Sequence, residues 1–194
     1  MARSDAALAA RARRAYELGR LATGLRGAWP LALLVPFALA THGRERLPVT
    51  LAAAACALVA AIVYGWRGGA FARGTAIGWL AGLPPLFLPM IVMARLAPCP
   101  DCDLMGMGRA GDAWPECLVA CSVGGLVAGV LVGLRAARDV RSPLRYALAA
   151  ASIAWLTGLL GCSLVGITGT LGTVAGLALG AAPTLLLSRG ARAS

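Results

Sequence analysis

The sequence contains no lysine, a single histidine and only eight acidic residues among 194. The 18 basic residues are all arginine, which beside the abundant Ala, Leu and Gly is the usage of a GC-rich bacterial genome. No carboxylate lies well inside any apolar run, which argues against the buried proton or ion relay of many secondary transporters. The histidine, His42, stands outside the apolar runs. There is no glycine-rich phosphate-binding loop and no set of serine, histidine and carboxylate. ATPase and hydrolase chemistry therefore have no residues to run on, and the chain is not expected to be an enzyme.

Charged residues make up 13% of the chain and hydrophobic ones 59%, too little polar surface for a soluble domain of this size. The apolar residues come in blocks of roughly 18–22, the length a helix needs to cross about 30 Å of hydrocarbon. Six spans are expected: Thr23–Thr41, Pro48–Trp66, Thr75–Leu96, Cys117–Leu134, Tyr146–Val165 and Gly169–Ser188. The predicted fold is an all-α polytopic membrane protein. A basic segment (1–22) precedes a six-helix domain (23–188) with a cysteine-rich loop (97–116), and a short tail (189–194) follows. The Gly166 to Gly169 turn is so short that the fifth and sixth spans are expected to form an antiparallel hairpin.

Arginine placement orients the bundle. The N-terminal segment, the loops after the second and fourth spans and the tail carry 14 of the 18 arginines; Arg44, Arg46, Arg95 and Arg109 fall on the other side. Both termini are therefore expected in the cytoplasm (N-in, C-in) of a bacterial inner membrane, with loop 97–116 in the periplasm. The net charge of +10 is read as membrane-facing rather than as a nucleic-acid footprint. Ala38-Leu39-Ala40 has the pattern of a signal-peptidase site, and cleavage after Ala40 would leave five spans. The long basic region and the five further spans favour an uncleaved first span.

Five of the six cysteines, Cys99, Cys102, Cys117, Cys121 and Cys162, fall at one membrane face. Cys117 and Cys121 are one helical turn apart, so they share a face. Cys56, in the second span, is expected to be a small packing residue. Three accounts of the five compete. One is a disulfide framework suited to an oxidising compartment. Another is a redox or metal sensor, in which the thiolates, with Met105 and Met107, would suit a soft ion such as copper or zinc. The third is a catalytic Cys-x-x-Cys pair passing electrons to a quinone.

Gly125, Gly129 and Gly133 in the fourth span, and Gly172, Gly176 and Gly180 in the sixth, repeat every fourth position and would let helices approach closely, on each other or on a second copy. Pro84, Pro85 and Pro89 are expected to bend the third span. In the N-terminal segment Leu8, Ala12, Ala15, Leu18 and Leu25 form a stripe displaced from Arg13, Arg14 and Glu17. Such a helix would lie on the anionic leaflet or dock a cytoplasmic partner through Arg13, Arg14, Glu17 and Leu18.

The Trp114-Pro-Glu-Cys117-Leu118 start of the fourth span, the Arg138–Arg145 loop with Pro143, and Gly161-Cys162 together resemble the six-span bacterial anti-sigma membrane proteins of the NrsF and CarR kind. This resemblance implies a protein that holds a cytoplasmic sigma factor at the inner membrane and releases it on an envelope signal sensed by periplasmic cysteines. The chain departs from that pattern in a richer cysteine set and a shorter N-terminal arm. The expected function is a membrane regulator of this type; a thiol-disulfide oxidoreductase or a small-solute or metal permease is the alternative.

Overall fold

The computed structural model describes residues 2–42, 47–96, 114–138, 142–162 and 167–193. Among these residues every regular element is a helix. In chain order they are α1 (Ala2–Gly27), α2 (Leu31–His42), α3 (Leu47–Arg67), α4 (Gly69–Ala81), α5 (Leu83–Leu96), α6 (Trp114–Arg138), α7 (Pro143–Cys162) and α8 (Ile167–Ala193). Among the described residues six stretches are long and apolar enough to cross a membrane: Leu8–Thr41, Leu47–Arg67, Gly69–Val92, Leu118–Arg138, Pro143–Gly161 and Gly169–Leu186. Many large apolar side chains on the outside of the bundle, among them Val59, Leu80, Ile91, Leu148 and Leu179, are exposed. A soluble protein could not carry so broad an apolar surface, whereas lipid solvates it. The chain is a multi-pass membrane protein whose partner is the bilayer.

Two of the spans are each built from two helices. In the first, α1 ends at Gly27 and α2 begins at Leu31, because Pro30 has no N–H to continue the ladder. Leu31 N donates instead to Ala28 O (3.0 Å), which leaves the Gly27 carbonyl without a helical donor; the indole Nε1 of buried Trp79 in α4 donates to it at 2.8 Å. In the third, the interruption falls at Gly82, where Pro84 and Pro85 bring no N–H to Leu80 O and Ala81 O, as their place in the sequence led one to expect. The ladder resumes at once, Gly82 N donating to Gly78 O (2.9 Å) and Leu86 N to Gly82 O (3.2 Å). A Cβ on Gly82 would run into Thr157 of α7, so the bare backbone here lets the span seat against its neighbour. The loop expected between the second and third spans is one residue: Gly68 and Gly69 take φ of 67° and 59°, and α4 starts at once.

The glycines fix how the helices run past each other. Gly125, Gly129 and Gly133 of α6 meet Thr173, Leu177 and Ala181 of α8 in turn, and Gly172, Gly176 and Gly180 of α8 lie against Leu118, Ser122 and Leu126. Numbers rise together along both helices, so α6 and α8 are parallel. The third and fifth spans are also parallel: Gly74 meets Tyr146 and Ala149, Gly78 meets Ile153, Gly82 meets Thr157, and Leu86 meets Gly161. Two helical hairpins, α4–α6 and α7–α8, thus lie side by side in the same sense. The hairpin expected from the short turn before α8 is present, but the principal partner of α8 is α6 rather than α7. Backbone contact through glycine outweighs chain proximity here, since lipid offers no hydrophobic drive and close van der Waals packing decides which helices meet.

The remaining hairpin, α1–α2 with α3, is antiparallel and sits against α4 and α7. A Cβ on Gly65 would fall on Gly24 of α1, and one on Gly24 would lie 2.8 Å from Ile62 O. Tyr64 donates to Ser152 Oγ of α7 at 3.1 Å, and Phe37 of α2 meets Phe87 of α5 edge-on at 5.3 Å. The buried side chains are mostly alanine, with Leu86, Ile153, Leu160 and Val132 the largest fully buried apolar ones.

Candidate functional site

The fold gathers the sequence features at two ends of the bundle. At one end lie the start of α6, which carries Cys117, and the end of α7, which carries Cys162, since these two helices are antiparallel and in contact. Cys99, Cys102, Met105 and Met107 lie outside the described residues. Cys121, one turn into α6, is completely buried (0% exposed) on the stripe that also contains Gly124, Gly125, Ala128 and Val132. Its sulfur belongs to the packed interior, a poor place for a nucleophile that must meet a second protein. Among the described residues no group of three or more His, Cys, Asp or Glu side chains could hold a metal. Cys56 is exposed on the outer face of α3 and so does not pack within this chain as the sequence suggested.

The other end is rich in arginine. α1 is one unbroken helix from Ala2 to Gly27, about 39 Å long at 1.5 Å per residue. Only its last turns touch α3. Every described side chain from Leu8 to Gly19 is exposed, including Tyr16 and the predicted partner-binding residues Arg13, Arg14, Glu17 and Leu18 (Leu18 65% exposed). Arg13 pairs with Glu17 at 3.6 Å one turn on, a solvated pair worth only a few tenths of a kcal/mol, about 0.3–0.5. At the point where α1 reaches the bundle, the Arg20 guanidinium lies 5.4 Å from the Tyr16 ring and 5.7 Å from the Trp66 ring of α3. These contacts tie the arm to the head of α3.

Beside that junction is a cleft of about 620 Å³ lined by Arg67, Gly68, Gly69, Ala70, Phe71, Arg73, Ser142 and Arg145. Arg67 lies over the Phe71 ring (5.5 Å), which itself stacks on Tyr64 at 5.6 Å and 9°. No match to a known protein informs these sites. Neither a family model, nor a curated protein, nor a solved structure matches the chain.

In the sequence Arg67 and Arg73 read as topology charges, and Arg145 as a topology charge at the end of the loop that carries the resemblance, with nothing to join the three in one site. The signal that could have found the cleft is the Gly68-Gly69 pair directly after Arg67, with Phe71 four residues beyond that arginine. A turn of one residue folds Arg67 and Arg73 toward the same opening. The start of α7 joins them because the third span packs along the fifth.

Proposed function

We propose that the chain is a bacterial inner-membrane regulator of the anti-sigma kind, with both termini in the cytoplasm, whose cysteine-bearing end senses a redox or metal signal in the periplasm. The observation that carries this reading is the α1 arm: a continuous helix projecting from the arginine-rich end, with Leu8, Tyr16 and Leu18 open to a partner. Its junction through Gly24, Gly65 and the Arg20–Trp66 contact connects the arm to α3, and α3 packs on α4 and α7. Small shifts in the packed spans would then change how the arm is presented, the type of discrete helix movement by which membrane signals travel.

The decisive experiment is a transcriptional profile of three strains: the gene deletion, a deletion of residues 2–20, and Cys99→Ser/Cys102→Ser, with membrane insertion checked by blotting. The arm deletion is expected to reproduce the transcript changes of the gene deletion without any stimulus. The cysteine variant should insert normally and lose the response to oxidant or metal. No transcript change in the gene deletion under oxidant, metal or light stress would defeat the regulator reading and bring forward an oxidoreductase or a permease.

A further inference from the structure

We propose that the cleft at the arginine-rich end is a binding site for the phosphodiester headgroup of an anionic phospholipid. The inference does not depend on the regulator reading. Three guanidiniums, from Arg67, Arg73 and Arg145, line the cleft, and among its described lining residues there is no carboxylate. Two helices also begin there. α4 starts at Gly69 and α7 at Pro143, and because the third and fifth spans are parallel both N-termini lie at the same opening. Each N-terminus carries about half a positive charge; Pro143 adds no N–H at α7, and at α4 the Phe71 N–H already donates to Gly68 O (3.2 Å), so the amides offered to an anion are those of Gly69 and Ala70 ahead of it. Gly68 gives α4 no side-chain cap. With neither a side chain at Gly68 nor one at Gly69, the opening of α4 is bare backbone, which an anion can approach closely.

The depth of the cleft selects the source of the anion. Arg67 ends one apolar span, Gly69 begins the next and Pro143 begins a third. The opening therefore lies at the level where the apolar belt gives way to charge, which is headgroup depth in a bilayer. Trp66, next to Arg67, is exposed at the same level, and Leu148, one turn further along the face of α7 that carries Arg145, is exposed for an acyl chain. A basic pocket between helix ends at this depth has the chemistry of an anionic-lipid site, in which arginine contacts phosphate through paired N–H donors. The stacking of Arg67 on Phe71, and of Phe71 on Tyr64, holds one of the guanidiniums in place before the lipid arrives.

The test is thermal unfolding of the full chain in a zwitterionic detergent. It is titrated separately with short-chain phosphatidylglycerol, short-chain phosphatidylcholine, inorganic phosphate and an oligoglutamate peptide. Phosphatidylglycerol at hundredfold excess over its Kd is expected to raise the melting temperature by about 5 °C or more. Phosphatidylcholine should not. The Arg67→Gln/Arg145→Gln variant is expected to lose at least half of the shift, and Arg145→Gln alone, which leaves the Phe71 stack intact, to lose a smaller part. Equal shifts from both lipids would overturn the proposal, as would full retention of the shift in the double variant. Inorganic phosphate reproducing the whole shift would make this a free-anion site. Stabilisation by oligoglutamate in the absence of a lipid effect would make it a protein-docking site; either result also overturns the proposal.

Discussion

Replacing Gly176 by alanine should destabilise the protein, although the same change at Gly19 should not. A Cβ built on Gly176 falls within contact distance of Ser122 O, 2.7 Å from Leu126 N and 3.0 Å from Gly125 C. All three are backbone atoms of α6, so none can swing aside and the helices must part, by roughly 0.5–1 Å. A gap of that size forfeits about a quarter to a half of each van der Waals contact along the interface, and overpacking of this type costs about 1–3 kcal/mol. Because every obstacle is rigid backbone, the site belongs in the upper half of that range, about 2–3 kcal/mol; the higher helix propensity of alanine returns about 1 kcal/mol, leaving a net loss of about 1–2 kcal/mol. For a chain of this size that is a fall in melting temperature of roughly 2–8 °C.

At Gly19 a Cβ meets nothing within 4 Å, so only the propensity gain remains and the variant should melt no lower than the parent. Gly133→Ala should fall between the two, because its nearest obstacle is the Thr184 side chain, which can rotate at the expense of its 2.8 Å bond to Ala181 O. Thermal unfolding of the purified variants in one detergent, followed by circular dichroism at 222 nm, measures all three. A Gly176→Ala protein that melts at or above the parent temperature would refute the parallel α6–α8 contact. The arrangement of the two hairpins would then have to be redrawn.

Trp79→Phe removes the indole donor to Gly27 O and leaves that half-buried carbonyl unpaired, so it should cost about 1 kcal/mol, the low end for an unmade bond; Trp29→Phe, at an exposed indole, serves as the control and should leave the melting temperature unchanged. In the folded protein Cys121 should resist even a membrane-permeant maleimide, with or without prior reduction, and react only after unfolding. A spin label on Cys56, in a variant in which it is the only remaining cysteine, should report the polarity and oxygen accessibility of hydrocarbon, and a buried or aqueous signature there would contradict the outward face of α3.

The membrane class, the number of spans and the separation of an arginine-rich end from a cysteine-bearing one are all legible in the sequence. Each follows from a one-dimensional requirement. A helix must be about 20 apolar residues long to cross hydrocarbon, and no unsatisfied polar group can be left within it. The small-residue repeats of Gly125 to Gly133 and Gly172 to Gly180 are just as visible, because close approach leaves a spacing of four in the chain. What those glycines meet is not a property of either helix alone. Six successive crossings already make alternate spans run the same way; only the tertiary structure decides that α6 packs on α8 and the third span on the fifth, and this brings the starts of α4 and α7 to one cleft. The same reason explains the cysteines: spacing places Cys117 and Cys121 on one face, but the neighbours of α6 decide that this face is buried at Cys121, while the corresponding question for Cys56 resolves outward. The capping of Gly27 by Trp79 belongs to the structure as well, since it depends on a helix remote in sequence coming close enough to satisfy a single backbone carbonyl, whereas the interruption at Gly82 follows locally from the missing N–H groups of Pro84 and Pro85.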